Sequence, residues 1–134
     1  MRQVFADTFY YLALMNVDDA AHAKAMAVSK SLDCPMLTTA WVLTEVGDAF
    51  AAPPQRRVFL DLLEDLQSDP ACTILPASEG LFQSAVALYR KRPDKEWSLT
   101  DCISFEAMRR HGISEALTED HHFEQAGFVA LLKP

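Results

Sequence analysis

Val4-Phe5-Ala6-Asp7-Thr8 is three apolar residues closed at once by an acid and a hydroxyl. An apolar run this short before a polar stop predicts a buried strand. Thr8 to Met15 then predicts a helix. A second helix is expected over roughly 19 to 32, where alanines stand at 20, 21, 23, 25 and 27, with Asp18 and Asp19 as its cap and first-turn acid. Outward from there the pattern repeats. Pro35 to Thr39 is a second strand, and a helix follows from Ala40 to Ala51, closed by Pro53-Pro54. Pro54 suits the start of the next helix, with Val58, Leu62, Leu63 and Leu66 as its apolar stripe and Asp69-Pro70 as its end. Cys72 to Leu75 is a strand, and Ser78 caps a helix running to Lys91 with Leu81, Phe82, Ala85 and Leu88 inward. Ser98-Leu99-Thr100-Asp101 has the form of a capping box, and Gly112 stops the helix it opens. Glu115 to Thr118 and Phe128 to Leu132 complete the strands. Strands separated by helices of ten or more residues pair in parallel, so the expected fold is a three-layer α/β/α sandwich with a short parallel sheet of four or five strands.

Composition agrees with a globular chain. The 134 residues are half hydrophobic, 23% charged and carry only four glycines, which argues against disorder and suits one domain over 1–134. Twelve Lys and Arg against nineteen Asp and Glu give a net charge of −7. That balance argues against a broad basic surface coating nucleic acid. Asp7 comes too early for a signal peptide, and the uncharged stretch from Thr8 to Val17 is far short of a membrane span. Cys34, Cys72 and Cys102 are isolated and odd in number, as in reduced cytoplasmic proteins.

In an open parallel sheet, ligands bind outside the carboxyl ends of the strands. Asp7 follows the first strand and Asp120 follows the strand ending at Thr118, so both are expected on that edge. Asp101 lies in the first turn of a helix whose N-terminus points there. Glu45 is expected among Val42, Val46 and Ala49 on an apolar helix face, where a carboxylate costs several kcal/mol unless paired or metal-bound. Helix caps and a turn explain Asp7, Asp101 and Asp120 one at a time. Convergence of all four is better explained by a divalent cation, and an all-oxygen donor set suits Mg²⁺ or Mn²⁺. Such a site activates water for attack on a phosphodiester.

The segments Val4-Phe5-Ala6-Asp7-Thr8, Leu43-Thr44-Glu45-Val46, Trp97-Ser98-Leu99-Thr100-Asp101-Cys102-Ile103-Ser104-Phe105 and Leu117-Thr118-Glu119-Asp120-His121-His122-Phe123-Glu124-Gln125-Ala126-Gly127-Phe128 resemble, in order, the motifs of the PIN-domain family. They span nearly the whole chain, and the pattern is similar to the small single-domain toxins of the VapC type. The resemblance implies Asp7, Glu45, Asp101 and Asp120 as the catalytic, metal-binding set of a Mg²⁺- or Mn²⁺-dependent endoribonuclease leaving 5′-phosphate and 3′-hydroxyl ends. It also implies a homodimer and a cognate antitoxin whose tail crosses the acidic site. Thr8 and Ser98 would support the ligands.

Candidate RNA contacts are Arg90, Lys91, Arg92, Lys95, Arg109-Arg110 and Arg56-Arg57, with Trp97 as a base-stacking ring. Adjacent His121 and His122 are expected to point apart, which argues against their sharing a metal. The alternative is a non-catalytic PIN-fold protein-binding module. Other families with an Asp after the first strand do not fit: haloacid-dehalogenase phosphatases need an acid where Phe9 stands, and response-regulator receivers need an acidic pair and a late lysine. The scattered glycines at 47, 80, 112 and 127 exclude a P-loop or dinucleotide fingerprint.

Overall fold

Residues 2–134 are described by a computed structural model. The chain alternates strands and helices: β1 (Val4–Ala6), α1 (Thr8–Met15), α2 (His22–Ser31), β2 (Met36–Thr39), α3 (Ala40–Ala49), a 3₁₀ turn (Pro53–Gln55), α4 (Arg56–Ser68), β3 (Cys72–Leu75), α5 (Glu79–Lys91), α6 (Leu99–Arg110), β4 (Glu115–Leu117), α7 (His121–Gln125) and β5 (Val129–Ala130). All pairings are parallel, in the order β3-β2-β1-β4-β5. The expected α/β sandwich is thus present, with five strands.

Burial follows strand position. Central β1 is buried at all three residues, whereas edge strand β3 is half-buried and Val129 on edge strand β5 is 53% exposed. Phe5, Phe105 and Phe123 bring β1, α6 and α7 together. Phe105 meets Phe123 edge-on at 5.0 Å between centroids and Trp97 at 5.1 Å, a preferred aromatic geometry. Their packing fixes the end of the sheet that carries the acids.

Several boundaries differ from the sequence expectation, each for a local reason. Helix α2 starts at His22, because the Asp19 side chain accepts the Ala21 N–H and the Asp18 N–H donates to Asn16 Oδ1, building a turn instead of a cap. Helix α3 stops at Ala49, two residues early, and Pro54 falls inside the 3₁₀ turn ahead of α4. Val58 and Phe82, expected inward, are each 37% exposed, since the buried seams run through Leu62 and Leu66 in α4 and Leu81 and Ala85 in α5. Strand β5 is only two residues long. The short helix α7 was not expected at all.

Helices α6 and α7 end alike. Gly112 (φ +65°) and Gly127 (φ +96°) hold left-handed conformations. Behind them, Ile113 N–H donates to Met108 O and Gly112 N–H to Arg109 O, while Phe128 N–H donates to Phe123 O and Gly127 N–H to Glu124 O. These are paired Schellman bonds, which satisfy the last helical carbonyls and return the chain to β4 and β5.

Candidate active site

The strand order reverses between β1 and β4, which are neighbours although β2 and β3 lie between them in the chain. Such a switch point opens a crevice at the carboxyl ends of the two strands. Asp7 follows β1 and Asp120 follows β4. Helix α6 carries Asp101 in its first turn and α3 carries Glu45. All four acids line one cleft of about 530 Å³, together with Thr8, Ser98, Glu96, Glu119 and His122. Among the described residues, six carboxylates line this space and no Lys or Arg does.

Asp7 is only 8% exposed. It occupies the N-cap position of α1 yet makes no side-chain capping bond, so capping does not explain it. Its Oδ2 instead accepts from Thr118 Oγ1 at 2.9 Å. Burial pushes its pKa up to about 7; the Thr118 bond opposes that rise, and nearby Asp101 and Asp120 add to it. Thr118 is fully buried, and its Oγ1 also accepts the Asp120 N–H at 3.1 Å. One hydroxyl therefore ties two of the four acids together. The sequence reading missed it, although it stands two residues before Asp120 in the same motif.

Asp101 has both roles considered for it. It closes a capping box, with Ser98 Oγ accepting the Asp101 N–H and Asp101 Oδ2 accepting the Ser98 N–H. Ser98 thus serves as a cap while lining the cleft. Burial raises the Asp101 pKa, and the Ser98 bond counters this. Asp120 caps α7, its Oδ1 accepting the His122 N–H at 2.9 Å.

Glu45 corrects the sequence argument. It is exposed, as is Ala49; the buried face of α3 is Val42, Leu43 and Val46. No burial cost forces a partner on it. It still faces the cleft, and Thr8 Oγ1 donates to its Oε1 at 2.6 Å, as expected of a supporting hydroxyl.

The histidines are a second correction. Their rings lie 4.5 Å apart between centroids, tilted at 49° to each other. Asp120, His121 and His122 place ligand atoms within 4.8 Å of one another. His122 Nδ1 lies 3.1 Å from Asp101 Oδ2 and 3.4 Å from Asp120 Oδ1. Glu96, Glu119 and His122 were not among the expected site residues.

Trp97 is no stacking platform. It is 5% exposed, donates from Nε1 to Gln125 Oε1, and has the Arg92 guanidinium 5.2 Å from its ring centroid. Many of the cations are also engaged: Arg92 with Asp94, Arg57 with Asp61 and Glu64, Arg109 with Glu106, Arg56 with Ala51 O, and Arg110 with Ser84 and Gly80 O. Arg90, Lys91 and Lys95 have no such side-chain partner among the described residues.

A parallel sheet with an acid cleft at its switch point defines the class. The PIN domain family matches residues 4–129, and this chain belongs to it. It is similar to the 23S rRNA-specific endonuclease VapC20 of Mycobacterium tuberculosis, with 27% identity over 126 residues, 94% of this chain and 95% of that one. The crystal structure of VapC20, a sarcin–ricin-loop-cleaving toxin, matches with a TM-score of 0.86 over 94% of this chain and 96% of that one. A toxin–antitoxin complex from Klebsiella pneumoniae shares the fold, with a TM-score of 0.71 at 16% identity over 98% of this chain and 99% of that one.

Proposed function

We propose that this protein is a divalent-metal-dependent endoribonuclease and the toxin of a type II toxin–antitoxin pair, acting as a single domain over residues 1–134. One observation carries the proposal: a cleft lined by six carboxylates with no Lys or Arg. Carboxylates gathered so closely repel one another, and a bound cation offsets that repulsion. The donor set fits Mg²⁺ or Mn²⁺, and Asp7, Glu45, Asp101 and Asp120 would hold it. When bound, such an ion would lower the pKa of water and offset charge on the attacked phosphate.

The chain's own residues prepare that chemistry. Thr118 orients Asp7, Thr8 orients Glu45, and the capping box fixes Asp101. His122 Nδ1 lies beside the oxygens of Asp101 and Asp120, so an imidazole nitrogen stands next to the oxygen donors, a ligand type that suits Mn²⁺ better than Mg²⁺. The likeness to VapC20 makes the sarcin–ricin loop of 23S rRNA the first substrate to test. An antitoxin Arg entering the cleft would pair with the same carboxylates and block metal. A homodimer belongs to the same proposal, as the resemblance to VapC-type toxins implies.

The deciding experiment incubates purified protein with ribosomal RNA and Mg²⁺ or Mn²⁺. Cleavage is expected with the wild type and at least a hundredfold less with Asp7→Asn or Asp101→Asn, both still folded by circular dichroism. No cleavage by wild type under any divalent ion, and no effect of the substitutions in cells, would leave the protein-binding module in its place.

A further inference from the structure

A second hollow, of about 840 Å³, lies between α5 and the loop leading into α6. Its walls include Tyr89, Arg90, Lys95, Glu96 and Ser98, and the last two also line the acid cleft. The two spaces meet along that shared wall. Their electrostatics are opposite. The acid cleft has six carboxylates and no Lys or Arg, whereas Arg90, Arg92 and Lys95 line the neighbour against Glu96 as its one acid.

In a chain of net charge −7, a cationic hollow abutting the acid cleft is a specific feature. Arg92 is held by Asp94, whose charge Lys95 also feels, and among the described residues neither Arg90 nor Lys95 forms a salt bridge. Tyr89 is 53% exposed. It is the open aromatic face of this hollow, since Trp97 at the same wall is buried beneath Arg92. Cations along a groove with an open aromatic ring match a single nucleic-acid strand, whose phosphates need charge and whose bases stack on any π-face.

We propose that this hollow binds the RNA segment next to the scissile phosphate, with one base stacked on Tyr89 and backbone phosphates on Arg90 and Lys95. The inference rests on the ribonuclease reading above and adds the path of the strand. It moves the stacking role from Trp97 to Tyr89. Tyr89 stands two turns of α5 beyond Phe82, on the helix surface, where a large aromatic gains nothing from the core.

The test uses the full chain and a single-stranded oligoribonucleotide carrying 2-aminopurine, titrated in Ca²⁺ and followed by fluorescence. Wild type is expected to bind and quench the probe. Tyr89→Leu should weaken Kd about tenfold and lose the quenching, while Tyr89→Phe, which keeps the ring, restores both. Arg90→Ala and Lys95→Ala should each flatten the dependence of log Kd on log salt concentration by about 0.7. If wild type binds and cuts RNA while Tyr89→Leu binds with unchanged Kd and quenching, the subsite proposal is overturned and the ribonuclease stands. If wild type neither binds nor cuts RNA in any divalent ion, the ribonuclease reading fails, and the subsite with it.

Discussion

At the residue scale, Asp7 and Thr118 show how a site is held against its own repulsion. Asp7 has a folded-state pKa of about 7 against an ordinary 3.8. Without metal it therefore keeps its proton in the folded state at pH values where the unfolded chain has already lost it. Below pH 3.8 the group contributes no difference; between 3.8 and 7 its contribution makes the fold progressively less stable; above 7 the whole cost, on the order of a few kcal/mol, is present. Asp7→Asn removes that cost. In thermal melts with chelator, the variant is expected to match wild type near pH 4 and to melt several degrees higher at pH 8, despite losing cleavage. Equal melting temperatures at pH 8 would refute the assignment. Thr118→Val keeps the shape but deletes the hydroxyl that donates to Asp7 and accepts from Asp120. Urea denaturation should show a loss of about 1–3 kcal/mol, with weaker cleavage because two acids lose their shared tether.

At the element scale, α6 and α7 each begin at a site acid and end at a glycine. Asp101 closes the α6 capping box, and Asp120 caps α7. Helix propensity and site geometry are thus served by the same side chains, which is why capping alone looked sufficient from the sequence. Ser98→Ala should cost about 1 kcal/mol in denaturant unfolding and loosen Asp101, so its cleavage defect should exceed what the stability loss explains. Gly127→Ala forces a Cβ into a conformation with φ of +96°; a loss of about 1–2 kcal/mol is expected in the same assay. Helix α7, at five residues, escaped the sequence reading because it is too short for a hydrophobic period to register. It is stable only because Phe123 is buried against Phe5 and Phe105.

At the scale of the whole molecule, folding concentrates charge that the fold itself does not need. Buried Asp7, its pKa raised to about 7, costs the metal-free protein stability above that pH, and a cation bound beside it is expected to offset the cost. Mg²⁺ or Mn²⁺ at a hundred times its Kd is expected to add about 2.7 kcal/mol to wild-type stability, read as a rise in melting temperature at pH 8. Asp7→Asn/Asp101→Asn should show little of that rise. A wild type whose melting temperature ignores divalent ions would remove the metal from the account.

The strand–helix alternation, the capping box, the glycine stop at Gly112 and the four acids were all legible in the sequence, because each depends on local chemistry or short-range period; the stop at Gly127 was not, since the helix it ends was not expected. Strand ends placed Asp7 and Asp120 and a helix N-terminus placed Asp101, whereas Glu45 was placed by an apolar-face argument that its exposure overturns and by the resemblance of its motif. What the sequence misjudged depends on which side a residue faces once packed. Glu45 is exposed, Trp97 is buried, and His121 and His122 lie side by side. Periodicity gives a helix its apolar stripe but not the partner that covers it, so the buried seam of α3 shifted to Leu43 and that of α5 away from Phe82. Thr118, a tether between residues 111 positions apart in sequence, exists only once β4 lies beside β1. Sequence determined which chemistry this chain carries; tertiary packing decided which side chains support it and where, along the cleft's cationic neighbour, a strand can lie.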